Sequence, residues 1–202
     1  VNTIESSEIS NTTGIKEALR VGIGNAVTNV SKPNGFLLDE AIKIWLPEEA
    51  QVIVKNIQLI PGGESLVNDV VVRLNKAAED AAIEAKPIFV NAITSMSVSD
   101  ATAILFGKDN EATNYLKEKT YTQLRSAFQP KINSSLNKPL VGNVSTNESW
   151  NTLVNAYNKV ANTAAGRIAN LSPVNVSLDT YVTEKALDGM FVKLAVEEKS
   201  IR

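Results

Sequence analysis

The sequence predicts an all-α protein: a compact bundle of about seven or eight helices with at most one very short β element. Apolar residues recur at three- and four-residue intervals along most of the chain. Alanine-rich stretches such as NKAAEDAAIEAKPIF (75–89) keep that spacing, and small side chains let a second helix approach closely. Connections between the periodic stretches are short. With 44% hydrophobic and 21% charged residues among 202, the chain can bury one sizeable core. Residues 1–13 are expected to form a flexible N-terminal lead and residues 14–202 a single helical domain.

From Ile15, the positions Leu19, Gly22, Ile23, Ala26, Val27 and Val30 form one apolar stripe. Thr12 or Thr13 is placed to cap its start, and SKPNG (31–35) stops it. Gly22-Ile23-Gly24 looks like part of a dinucleotide loop, but no strand precedes it and it lies inside the stripe; close packing is the better reading. AIKIWLP (41–47) changes period: Ile42, Ile44 and Leu46 alternate with Lys43 and Trp45, as in a short strand. Pro47 should open a helix running to about Ile60, with Glu48 and Glu49 in its first turn. Pro61-Gly62-Gly63 breaks it. A glycine pair before a helix can seat an anion, but Glu64 would compete, so a turn is expected.

Leu74, Ala77, Ala78, Ala81, Ala85, Ile88 and Phe89 give the next helix its inner face. Lys76 and Asp80 form an i,i+4 pair, and Arg73, Lys76 and Glu79 follow at threes, so these charges read as a solvated face over an alanine seam. Pro87 must kink this helix or start a new one. Ser97 and Asp100 carry a capping signature for a short helix that ends at Phe106 and Gly107. A longer helix is expected from 111 to 137, interrupted at Pro130. Residues 137–147 have loop chemistry, with LVGNV (140–144) able to form a small strand. Helix resumes over 148–165, followed by an irregular connection over 166–177. Ser177 caps the last helix, whose stripe of Val182, Ala186, Met190 and Leu194 is joined by Tyr181, Leu187, Phe191 and Ala195, so it should sit centrally.

Histidine and cysteine are both absent. That excludes Ser-His-Asp and Cys-His nucleophilic machinery and leaves only carboxylate and carbonyl ligands for a hard ion. No cofactor is expected. A net charge of −2 without a clustered Lys/Arg run argues against nucleic acid as a partner. No apolar run approaches the roughly 20 residues of a membrane span. Several Asn-x-Ser/Thr triplets occur (Asn11, Asn29, Asn133, Asn143, Asn147, Asn170, Asn175); they read as compositional bias with caps and turns rather than glycan acceptors. The first residue, Val1, suggests a processed or trimmed start, and the polar lead VNTIESSEISNTTG reads as a tether following a removed signal.

Five stretches, GIKEALRVGIGNAVTNVSKPNGF (14–36), IKIWLPEE (42–49), LNKAAEDAAIEAKPIFVNAITSMSVSDATAIL (74–105), ATNYLKEKTYTQLRSAFQPKI (112–132) and YVTEKALDGMFVKLAVEEKSIR (181–202), together resemble an uncharacterised bacterial family, the domain of unknown function 4197. They cover more than half of the chain in the family's order. The resemblance implies a mostly helical protein of Gram-negative bacteria, periplasmic or attached to the envelope as an exported lipoprotein, peripheral to the membrane or lipid-anchored through a removed N-terminal segment. It implies no reaction. Two departures stand out: Trp45 takes a place where the family tends to have proline, and relatives usually continue beyond Arg202.

Two constellations offer chemistry. Glu184 and Asp188 lie four apart on one helix, a destabilising like-charge spacing that a hard cation, or an acid and a base with split pKa values, would justify. Glu79 and Glu84 would join them if the two helices pack together; otherwise Lys185 and other helices supply partners. Tyr115, Lys119, Tyr121 and Arg125 place hydroxyls and cations along another helix, as in a polar groove for an anion or as ordinary stem packing. Trp45 and Trp150 are expected to be partly buried. The favoured reading is a non-catalytic envelope protein binding an apolar or amphipathic ligand between its helices, or a protein partner. The alternatives are a carboxylate-based, metal-assisted hydrolase using Glu79, Glu184 and Asp188, and a cytosolic structural partner.

Overall fold

The computed structural model describes the backbone of residues 2–8 and the whole of residues 9–139 and 143–201. These are 77% helical, with no strand among them, so the all-α fold class stands. The helices are α1 (Asn2–Ser31), α2 (Gln51–Lys55), α3 (Gly63–Ala82), α4 (Ala85–Thr94), α5 (Val98–Phe106), α6 (Glu111–Asn137), α7 (Thr146–Ala161), α8 (Ala164–Ile168) and α9 (Leu178–Ile201).

Helix α6 is the spine. It packs along α9 on one side and α3 on another, with α4 and α7 also against it; α1 covers α9, α4 and α5. Its buried residues Leu116, Thr120, Leu124, Phe128, Ile132 and Leu136 recur every fourth position, a row that winds slowly around the helix and so can meet more than one neighbour. Opposite them, Ala77, Ala78, Ala81, Ala82 and Ala85 have no exposed surface, as the seam of small residues anticipated. From α9, Val182, Ala186, Leu187 and Met190 fill the remaining space, and Phe191 meets Phe89 edge-on at 5.9 Å. No single helix among the described residues is long and apolar enough to cross a membrane.

Several local expectations are corrected. Helix α1 begins at Asn2 rather than after Thr13, so the lead is helical over residues 2–13. Thr13 does not cap a helix start; its hydroxyl bonds back to the Ile9 carbonyl at 3.0 Å, within the helix. The expected strand over 41–47 does not form: residues 41 and 42 close a turn on the Asp39 carbonyl, and residues 43–47 have no regular structure. The stretch after Pro47 breaks into a 3-10 turn (Glu48–Ala50), the short α2 and a second 3-10 turn (Ile57–Leu59), where Asn56 leaves helical geometry and its side-chain Nδ2 donates to the Val52 carbonyl at 2.8 Å. Helix α6 runs through Pro130 without interruption. The missing amide costs one bond at an exposed position, while Phe128 and Ile132 on either side are fully buried.

Other signals hold. Pro87 starts a new helix, in the first turn of α4 where no amide proton is required. Ser97 with Asp100, and Ser145 with Glu148, form complete capping boxes. The proposed strand at 140–144 falls partly outside the described residues, and Asn143 and Val144 are not in a strand. Four asparagines, Asn34, Asn110, Asn143 and Asn170, adopt left-handed backbone angles, which agrees with reading the asparagine excess as turns.

Candidate functional site

Residues 36–45 lie across α9, and each end of the segment is tied down. Gly189 makes the crossing possible: a Cβ there would come within 2.8 Å of the Phe36 ring and 3.1 Å of Ile42 Cβ. The Phe36 amide donates to Glu79 Oε1 at 3.3 Å. The Ile44 amide donates to Asn75 Oδ1 at 2.8 Å, and Asn75 Nδ2 returns a bond to the Ile44 carbonyl at 2.8 Å. Lys193 of α9 holds Asp39 at 2.6 Å, which keeps that carboxyl below its ordinary range. Finally, the Tyr181 hydroxyl donates to the Trp45 carbonyl at 2.9 Å. Burial pushes the Tyr181 phenol up, with the charge of Glu49 adding to it.

The Trp45 backbone is therefore fixed while its side chain stays 51% exposed. The Lys43 ammonium lies 4.1 Å from the Trp45 ring centroid, in cation–π contact, and bridges to Glu40 at 3.5 Å. Between this segment and α9 runs a groove of about 280 Å³, lined by Ile42, Lys43, Trp45, Tyr181, Lys185, Asp188 and Val192. One wall is apolar. Two ammonium groups and one carboxylate surround it, so the groove suits a molecule with an apolar body and a charged or polar end.

The carboxylates proposed as a catalytic set do separate work. Glu79 is 3% exposed and serves the Phe36 amide, so it is not part of a solvated face. Arg73 is likewise buried, bonding the Val144 carbonyl at 2.7 Å and Asp69 at 2.9 Å; only Lys76 and Asp80, 2.8 Å apart, match the surface-pair expectation. Glu184 is exposed and 4.0 Å from Arg125, while Glu84 pairs with Lys131 at 3.1 Å. Asp188 alone of the proposed trio lines the groove. Among the described residues no group of three or more carboxylates is arranged to hold a metal ion.

The predicted polar groove on α6 divides. Positions 115 and 121 are about 120° apart around a helix, so they face different neighbours. Tyr115 and Lys119 turn toward α4 and α5, where the Tyr115 hydroxyl donates to Asp100 Oδ2 at 3.4 Å. Tyr121 and Arg125 turn toward α9, with Tyr121 stacked on Phe191 at 6.4 Å. The tryptophans divide too: Trp150 is 4% exposed and donates from Nε1 to the Val176 carbonyl at 3.2 Å. Sequence reasoning missed Tyr181 and Lys43 as groove residues. The i,i+4 spacing of Tyr181 and Lys185 was the available signal.

A third feature joins the ends of two helices. Glu198 of α9 accepts bonds from the Ala112 amide at 3.0 Å, the Thr113 amide at 2.9 Å and the Thr113 hydroxyl at 2.8 Å. Asn110, the N-cap residue of α6, makes no side-chain cap, so a distant glutamate satisfies the orphan amides. Beside it lies a largely apolar groove of about 250 Å³ among Ile15, Leu19, Ile104, Leu105 and Ile201.

No curated protein and no solved structure matches the chain. A family model described as "Protein of unknown function (DUF4197)" matches residues 4–202, nearly the whole sequence and all of the helices that build the groove. The chain belongs to that family.

Proposed function

We propose that this is a non-catalytic binding protein of the bacterial envelope, holding an amphipathic ligand in the groove between residues 41–45 and α9. The observation that carries the reading is Trp45: its carbonyl is anchored by Tyr181 while half of its side chain faces solvent beside a formed groove. An exposed indole contributes little to folding, whereas it offers a large flat contact to an apolar body. Lys185 offers positive charge to an acidic end group, whereas Lys43 is already in contact with Glu40 and the Trp45 ring, and Asp188 disfavours anionic charge placed beside it. A ligand held in the centre of the bundle, as first expected, loses support because the alanine seam and the α6 and α9 side chains occupy that space. The envelope location is supported by the family resemblance of the five sequence stretches.

The test is native mass spectrometry of the protein purified from its own host, followed by organic extraction, on the wild type and Trp45→Ala. A stoichiometric amphiphile on the wild type that is lost from the variant is the expected result. A clean apo mass for the wild type would overturn the reading. Fractionation of host cells into cytosol, periplasm and membranes tests the location; recovery in the cytosol would overturn that part.

A further inference from the structure

A separate groove lies where α4 and the start of α5 meet α6. It measures about 340 Å³, at the lower end of the small-molecule range, and is lined by Asn91, Ser95, Asp100, Tyr115, Lys119 and Gln123. Each of these side chains carries a hydrogen-bonding group. Tyr115, Lys119 and Gln123 follow one another at i,i+4, which sets them in a row along α6.

Charge decides what such a groove accepts. Asp100 is held ionised by the Ser97 amide and hydroxyl at 3.0 and 2.8 Å. The Lys119 ammonium lies 5.6 Å from the Tyr115 ring centroid and 3.8 Å from Glu118, and the Tyr115 hydroxyl reaches Asp100, so a cation and an anion flank the same ring. A small anion entering here meets the Asp100 carboxylate, and a small cation meets Lys119. A neutral molecule meets neither penalty. The side-chain amides of Asn91 and Gln123 each offer a donor and an acceptor. All three bonds to Asp100 fall on Oδ2, which leaves Oδ1 open to a further donor. Groups that donate and accept at once, such as alcohol hydroxyls, match this set best, and the half-buried Tyr115 ring offers an apolar surface for sugar C–H groups. We infer that this groove is a carbohydrate subsite that takes a neutral saccharide, independently of the Trp45 groove.

Isothermal titration of the full chain tests this with four probes: maltose, a β-linked N-acetylglucosamine disaccharide, the corresponding disaccharide with free amines, and inorganic phosphate. At least one neutral disaccharide binds, the amine form binds more weakly, and phosphate does not bind. Asn91→Ala and Gln123→Ala, both at exposed positions and checked for native circular dichroism, each weaken the neutral disaccharide by about five- to tenfold. Trp45→Ala leaves that affinity unchanged, so failure of the amphiphile reading and failure of this one are separable. The inference is overturned if no neutral disaccharide binds at up to about 10 mM, if phosphate binds in preference, if the two alanine variants bind as wild type, or if Trp45→Ala abolishes saccharide binding.

Discussion

Asn75 and Ile44 pair as neighbours in a β-ladder would, except that one partner is a side chain. The Ile44 amide and carbonyl both meet the Asn75 carboxamide at 2.8 Å, and Asn75 Nδ2 also donates to the Val71 carbonyl at 2.8 Å. Asn75 has no exposed surface. Because Ile44, Asn75 and Val71 are all buried, an unmade bond would carry its full desolvation cost. Asn75→Asp keeps the shape but loses both donated bonds. It should lower unfolding free energy by about 2–4 kcal/mol in urea titration. A loss of under about 0.5 kcal/mol would show that water replaces the amide.

The Glu198 cap gives a prediction with a local readout. Glu198→Ala should destabilise the protein by about 2–3 kcal/mol, since charge-assisted bonds to helix amides are lost together. Amide exchange should accelerate at Ala112 and Thr113 before it does in the centre of α6. Uniform acceleration along α6 would instead mean that the substitution acts through general unfolding.

Acid sensitivity follows from Asp39. The hydrogen bond from Lys193 lowers its folded-state pKa below the ordinary value of 3.8, so the ionised form stabilises the fold above pH 3.8. That contribution is lost as pH falls through the lower, folded-state value. The melting temperature of the wild type should drop steeply below about pH 4, and that of Asp39→Asn, already lower at pH 7, should drop less. Parallel curves for the two proteins between pH 2 and 7 would remove Asp39 from the account; Asp100 and Asp179, lowered by Ser97 and Ser177, would then carry the acid limb.

Tyr157 is fully buried on α7, and its hydroxyl has no hydrogen-bond partner among the described residues. Burial accordingly raises its pKa. Tyr157→Phe removes an unsatisfied group without changing the packing and should stabilise the protein by about 1 kcal/mol. A clear destabilisation in the same urea assay would reveal a partner for the hydroxyl.

The two tryptophans make the fold testable by fluorescence. Trp150→Phe leaves Trp45 as the emitter, red-shifted and readily quenched by acrylamide. Trp45→Phe leaves Trp150, blue-shifted and protected, in line with exposures of 51% and 4%. Equal quenching of both variants would contradict the placement of residues 41–45.

Legibility in the sequence divides along physical lines. Signals that act within one helical turn were readable: the Ser97 capping box, the start of a helix near Pro87, and α9 from Leu178 to Ile201. The alternation in AIKIWLP indicated a strand that does not form: residues 41 and 42 lie in a turn, and Ile44 pairs instead with the Asn75 side chain, 31 positions away. Glu79 looked like its neighbours Lys76 and Asp80 because charge patterns do not record which amide a carboxylate will meet. Helix α1 was started too late because its first turns are polar, and hydrophobic periodicity is silent there. In the candidate groove, Asp188 and Trp45 were noticed separately; only the crossing at Gly189 brings them to the same surface.

The Glu198 contact also sets an order on the making of the protein. The residue that satisfies the first amides of α6 lies 85 positions further along the chain than Thr113. While a ribosome is still working through that interval, α6 has its sequence but not its cap, and α9, its main packing partner, does not yet exist. Native closure therefore waits for α9 rather than proceeding stepwise along the chain. Until then the face of α6 that α9 covers has no partner.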